Sequence, residues 1–229
     1  MNTAEFISGS SMQTAQELAY KHIKKQILSC DLEPGQRLVA MELAAEIGLS
    51  RTPVREALSR LEQEDIVARE SGWGYIVKSM SFKDVMDLYR IREILEVEAA
   101  VEAVSHVDEV RIATMRDILR HAEKAIETKP YTEFISVIRS FTGFVAEMTG
   151  NKLLQDMISR ITDRVQIVGA LMVRHNLSRA REILTENQRI LKALERRDAN
   201  AVESAMRAHV RNGRDAAAKL WDRTTNGGG

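Results

Sequence analysis

A single cysteine, Cys30, in 229 residues excludes an internal disulfide framework and any zinc module built on paired cysteines. It follows the end of a first helical pattern and reads as inert filler rather than a nucleophile, in keeping with a reducing compartment. No apolar run is long enough to cross a bilayer, so no membrane partner is expected. The first eleven residues lack the basic start and apolar stretch of a secretory signal, which points to a cytoplasmic protein. Excess charge is missing too, with 33 Lys and Arg against 33 Asp and Glu. Residues 12–79 hold nine basic and ten acidic side chains. A nucleic-acid surface here must therefore come from where charges stand, not from their sum.

The few prolines and glycines punctuate mainly the first third. Pro34-Gly35 closes a helix over residues 13–29, in which Leu18, Ile23, Ile27 and Leu28 form the expected apolar face and Lys21, Lys24 and Lys25 the solvated one. A short helix over 40–47 stops at Gly48, a residue suited to a left-handed cap. Ser50 can cap the next helix, which accepts Pro53 in its first turn and runs to Gln63. Two helices joined by so tight a turn form a helix-turn-helix. Residues 66–69 and 75–78 read as strands flanking Ser71-Gly72-Trp73-Gly74, a wing hairpin. Beyond Ser81 only helical patterns remain, over 82–106, 109–127, 131–148, 152–173, 177–195 and 199–221.

The expected fold is mostly α. An N-terminal arm (1–11) without fixed structure precedes a winged helix-turn-helix domain (12–79). An all-helical antiparallel bundle of about six or seven helices (80–222) follows, then a disordered tail (223–229).

A DNA-reading helix buries one face on its scaffold and turns its N-terminal polar side chains to the major groove. Val54, Ala57, Leu58 and Leu61 supply the buried face. Ser50, Arg51, Thr52 and Arg55 cluster at the exposed start. Arg51 suits a bidentate contact with guanine, Thr52 a base edge or phosphate, and Arg55 a phosphate that fixes register. Trp73 and Gly74 mark the wing tip, where Trp73 either presses on the groove or packs back on the first helix.

With these residues in view, the chain resembles the GntR family of bacterial regulators. The matching residues are Leu32-Glu33-Pro34-Gly35-Gln36-Arg37-Leu38 and the run from Leu43-Ala44-Ala45-Glu46-Ile47-Gly48-Leu49 through Ser50-Arg51-Thr52-Pro53-Val54-Arg55-Glu56-Ala57-Leu58. Gly74-Tyr75-Ile76-Val77 is similar to the family's wing. Met41 departs from the charged residue that relatives often carry there. The remainder resembles the FadR-type branch with an FCD domain, a helical ligand-binding bundle. The resemblance rests on Arg92-Glu93-Ile94-Leu95-Glu96-Val97-Glu98-Ala99-Ala100, on Phe141 through Gly150-Asn151-Lys152-Leu153-Leu154, and on Ile190-Leu191-Lys192-Ala193-Leu194-Glu195-Arg196-Arg197-Asp198 with Ala205-Met206-Arg207-Ala208-His209.

Many FCD domains hold a divalent metal through an Asp and three His. The resemblance carries these positions onto Ile138, Thr142, Asn187 and His209, so only the last keeps its ligand. No metal or other cofactor is expected, unless Glu186 or Glu147 rebuilds the site. His22, His106, His121 and His175 show no ligand spacing. The pocket itself can survive the loss, with Arg92, Arg139, Thr142, Asn187 and His209 holding an acidic metabolite or aromatic acid directly. Alternatively the same groups form an interior polar network, with Arg92 paired to Glu96. The resemblance implies a homodimeric regulator, by habit a repressor, reading a palindromic operator on double-stranded DNA under control of a small carboxylate effector. A regulator without an effector is the alternative. An enzyme would need a nucleophile–base pair or metal constellation, and none is present. A sequence-independent nucleoid protein would need a positive charge balance that the chain lacks.

Overall fold

Helix α1, Ala15–Leu28, is the first element of the computed structural model, which describes residues 14–70, 74–127 and 131–226. Its apolar face is Ala19, Tyr20, Ile23 and Ile27, whereas Leu18, expected on that face, is 44% exposed. Lys24, expected to be solvated, is half-buried and ion-paired with Glu64 at 2.7 Å. The chain divides into two compact units, Met1–Gln26 with Gly35–Lys78 and Ile27–Pro34 with Ser79–Gly229. The proposed arm, the wing tip Ser71, Gly72 and Trp73, and residues 227–229 lie outside the described residues.

The first unit continues with β1 (Arg37–Leu38), α2 (Ala40–Ile47), α3 (Arg51–Gln63), β2 (Val67–Glu70) and β3 (Gly74–Val77). Gly48 ends α2 at φ +74°, with its N–H donating to the Ala44 carbonyl. That left-handed residue makes the turn into α3 tight. The three strands form an antiparallel sheet in the order β1-β3-β2, with Val67 opposite Val77 and Leu38 opposite Tyr75. Gly74 is required by the sheet rather than by a turn alone. It sits at φ +97°, and a Cβ there would stand 3.3 Å from the Leu38 carbonyl oxygen. Val54, Ala57, Leu58 and Leu61 of α3 are fully buried, as the spacing predicts.

The second unit is a helical bundle: α4 (Phe82–Ala103), α5 (Glu109–Ala125), α6 (Thr132–Met148), α7 (Lys152–His175), α8 (Ser178–Glu195) and α9 (Ala199–Asn226), with a 3-10 turn at Val104–His106. The starts of α4, α5 and α7 are capped by local side chains, whereas those of α6 and α8 have no side-chain cap. Ser81 and Asp84 form a capping box, Asp108 accepts from the Arg111 amide at 2.7 Å, and Asn151 from the Leu154 amide at 3.1 Å. Helix α9 continues to Asn226, five residues past the expected end, so the start of the expected tail is helical. The indole N–H of Trp221 donates to the Met80 carbonyl at 2.9 Å, which ties this late part of α9 to the segment preceding α4. Tyr89, Met115, Phe134, Phe141, Ile190, Leu194 and Met206 are the largest fully buried side chains of the bundle. Helices α4 and α9 pack along their lengths. The residue that allows this is Gly213, where a Cβ would fall 2.9 Å from the Tyr89 ring.

Candidate DNA-reading face and interior cavity

Helix α3 begins without a side-chain cap. Ser50 has the extended backbone of a cap residue, yet its hydroxyl receives no cap hydrogen bond, contrary to expectation. The local cause is Pro53, which occupies the third helical position and has no N–H to give. The first-turn amides of Arg51 and Thr52 are therefore left for an outside acceptor, and the helix start carries the positive end of the dipole. Ser50, Arg51, Thr52 and Arg55 are all exposed there, as is Gly74 at the start of β3.

Charge placement separates these arginines from their neighbours. Lys21 and Arg60 pair with Glu17, Lys24 with Glu64, Arg37 with Glu70, Arg69 with Glu62 and Lys78 with Asp65. Arg60 also lies over the Tyr20 ring, 3.6 Å from its centroid. Among the described residues of this unit, Arg51, Arg55 and Lys25 alone among the lysines and arginines have no ion-pair partner. A cation already bound to a carboxylate gains little from a phosphate, so these three are the cations of the described unit left open to an outside anion. Met41, the departure from the family pattern, is exposed and apolar.

Within the bundle a partly open cavity of about 80 Å³ is lined by Arg92, Arg139, Thr142, Gln166, Arg179 and His209, with Ile135, Ile138, Ile158, Val165, Met172 and Ile183 as apolar walls. Four of the five expected effector residues thus meet. The fifth, Asn187, is buried outside the lining: its Nδ2 donates to the Ile183 carbonyl at 2.8 Å, and its Oδ1 has no hydrogen-bond partner. Arg92 is buried and forked onto Glu96, with Nε to Oε1 at 2.8 Å and Nη2 to Oε2 at 3.0 Å. Burial alone would lower its pKa, but Glu96 outweighs that and raises it.

Arg179 went unnoticed in the sequence, although it stands seven residues before Glu186 on the same helix and so shares its face. Its two terminal nitrogens donate to the Glu186 oxygens at 2.8 and 2.9 Å, while its Nε is buried and unpartnered. Glu186 also accepts from His209 Nδ1 at 2.8 Å and Asn212 Nδ2 at 3.0 Å. Burial raises the Glu186 pKa, but the hydrogen bonds from His209 and Arg179 win and hold it at about 2. Because a carboxylate only accepts, Nδ1 of His209 carries the proton and Nε2 is the ring's remaining polar atom.

These contacts bear on the family's metal. Ile138 has no donor atom, Asn187 does not reach the cavity, and Thr142 offers a neutral hydroxyl. Glu147 is exposed and lines the adjoining surface groove rather than the cavity. Glu186 is near His209, but taking its oxygens for a cation would strand the buried guanidinium of Arg179. The residues present do not fit a transition-metal site.

A winged helix with a free-cation helix start and a bundle with a cavity that combines apolar walls and polar side chains, in one chain, point to a DNA-binding transcription regulator with a sensing domain. Comparison with known proteins agrees. Residues 15–77 match the gntR family of bacterial regulatory proteins, and residues 87–212 match the FCD domain. An uncharacterised HTH-type transcriptional regulator of Bacillus subtilis, YdhC, is 28% identical over 83% of this chain and 85% of its own. The HTH-type transcriptional repressor RspR of Escherichia coli is 27% identical over 86% of each chain. The solved structure of E. coli McbR/YncC superposes with a TM-score of 0.79 at 23% identity, over 92% of this chain and all of that one, and so shares the fold. The chain belongs to the GntR family of transcription regulators, in the branch that carries an FCD domain.

Proposed function

We propose that this regulator is a cytoplasmic homodimeric repressor that reads a palindromic operator and is controlled by a small carboxylate bound in the bundle. In this reading residues 12–79 bind DNA through Ser50, Arg51, Thr52, Arg55, Gly74 and Trp73, and residues 80–222 sense the effector and dimerise. The carrying observation is the uncapped start of α3 with Arg51 and Arg55 left free of ion pairs. The repressor assignment leans on the likeness to the repressor RspR. The dimer is supported by apolar side chains exposed on single helix faces, Ile94 at 61% on α4 and Leu153 at 72% on α7, with Ile91 and Met157 beside them.

Selection of binding sites from random duplexes tests the proposal. A two-fold symmetric sequence is expected, bound by two chains in sedimentation analysis; a monomer on and off that DNA overturns the dimer. Arg51→Ala is expected to weaken specific binding by about 1–3 kcal/mol and relax one guanine per half-site, whereas Arg55→Ala weakens all sequences alike. Unchanged base preference in Arg51→Ala removes the direct-readout role. A second reading, a regulator with no effector, is favoured by the Arg92–Glu96 pair. It predicts that no small acid changes operator affinity.

A further inference from the structure

Glu186 is a carboxylate buried where α8 meets α9, and a charge in such a place has to be paired. Arg179 reaches it from α8 with both terminal nitrogens, at 2.8 and 2.9 Å. His209 Nδ1 and Asn212 Nδ2 reach it from α9, at 2.8 and 3.0 Å. Of these donors only the guanidinium carries a fixed charge. The imidazole can give its Nδ1 proton as a neutral ring, and the amide is always neutral. Burial opposes ionisation of Glu186, yet His209 and Arg179 keep it ionised. Arg179 also holds Glu182 at 3.1 Å, and its own side chain is only 5% exposed. Its charge acts on the buried Tyr89 hydroxyl of α4 as well. One cation therefore ties the start of α8 to its middle and, through Glu186, to α9.

Gathering carboxylate and imidazole from facing helices is what a divalent metal does in a helical bundle. An entering metal and Arg179 cannot share Glu186. Both are cations, both need the same two oxygens, and the interior screens their repulsion poorly.

We propose that the Arg179 guanidinium is a built-in cation that stands in for the divalent metal of related bundles and makes this bundle independent of metal supply. Arg179 is a positioning residue: it holds Glu186, which in turn fixes the His209 ring. The ligands missing at Ile138, Thr142 and Asn187 and the guanidinium gained at Arg179 are two sides of one exchange, and one substitution should reverse it. An imidazole is shorter than an arginine side chain by about 2 Å, the length of a metal–nitrogen bond, so at this position it places a metal where the guanidinium stood. With Glu186 and His209 it completes two imidazoles and a carboxylate, a set that suffices for zinc.

The full-length protein is compared with Arg179→Lys, Arg179→Met and Arg179→His, each treated with EDTA, dialysed and titrated with zinc and with cobalt. Tm, metal content and the visible absorption of cobalt are read. Wild type is expected to take up neither ion stoichiometrically and to keep its Tm. Arg179→Lys retains the charge and is expected to melt near wild type, indifferent to zinc. Arg179→Met strands the Glu186 anion and is expected to melt lower. Arg179→His is expected to melt lower without metal and to recover as zinc exceeds its Kd, with about one ion bound per chain and a cobalt spectrum. Adding Glu186→Gln to Arg179→His is expected to abolish that uptake. If Arg179→His does not fold without metal, refolding from urea with and without zinc gives the same readout, with recovery expected only in zinc. A stoichiometric metal in wild type overturns the proposal, as does Arg179→Met melting as high as Arg179→Lys. Arg179→His gaining no metal, or gaining it equally without Glu186, overturns the exchange. None of these readouts involves an effector, so the sensing role of the cavity is tested separately.

Discussion

Gly143 and Gly213 line the same cavity from helical positions, yet substitution should move stability in opposite directions. At Gly143 the backbone is helical and space is open, so alanine removes unfolded-state entropy without meeting a neighbour. Gly143→Ala is expected to stabilise the fold by about 0.5–1 kcal/mol in urea unfolding. At Gly213 the added methyl would press on the Tyr89 ring, which is fully buried between α4 and α9. Gly213→Ala is expected to lower the unfolding midpoint by about 1–3 kcal/mol through overpacking. Equal effects from the two would mean that the α4–α9 packing is looser than described. Cys30 illustrates the limit of a lone reactive side chain: it is fully buried, and burial pushes its thiol up to about 12.

Helix α1 is fixed to the end of α3 by one polar cluster. Glu64 accepts from the Tyr20 hydroxyl at 2.7 Å and from Lys24 at 2.7 Å. Burial raises the pKa of this carboxyl, but the hydrogen bonds from Lys24 and Tyr20 and the nearby cations prevail and lower it. A carboxyl depressed in the folded state stabilises above its ordinary range and loses that contribution as pH falls through it. Glu64→Gln is therefore expected to destabilise at pH 7 by about 1 kcal/mol, with the gap to wild type closing toward pH 3. A gap that persists at low pH would assign the loss to packing.

The same helix shows how far the sequence could be read. Its position was legible because Ile23 and Ile27 repeat one turn apart, but Leu18 was placed inside, since periodicity counts apolar residues and not the neighbours available to cover them. In the bundle, helices were legible to within a few residues because long apolar periodicity and caps such as Ser81, Asp108 and Asn151 agree. Strand β1 was invisible: two residues carry no alternation, and only pairing with β3 makes them a strand. Arg179 was missed for a related reason, because an arginine on a helix reads as solvent-facing until a buried glutamate is placed opposite it. Asn187 was placed by resemblance alone, and its side chain turns back to its own helix.

At the scale of the whole molecule, the missing ligands have a direct consequence. The protein is expected to purify with no stoichiometric transition metal, and EDTA should leave its Tm unchanged. Elemental analysis finding about one tightly bound metal per chain would mean that the Arg179–Glu186 pair opens to admit it.

The pairing of six of the nine lysines and arginines in the DNA-binding unit bears on behaviour in a crowded chromosome. Each phosphate contact releases counterions, and the slope of log affinity against log salt is about −0.9 per contact. With Lys25, Arg51 and Arg55 as the free cations, a slope of about −3 per protomer is expected, and a much steeper one would show that the surface ion pairs rearrange on DNA. A shallow slope means weak adhesion to arbitrary sequence. A regulator with so shallow a slope spends little time stalled on the vast excess of non-target sites, so few copies suffice to keep one specific site occupied.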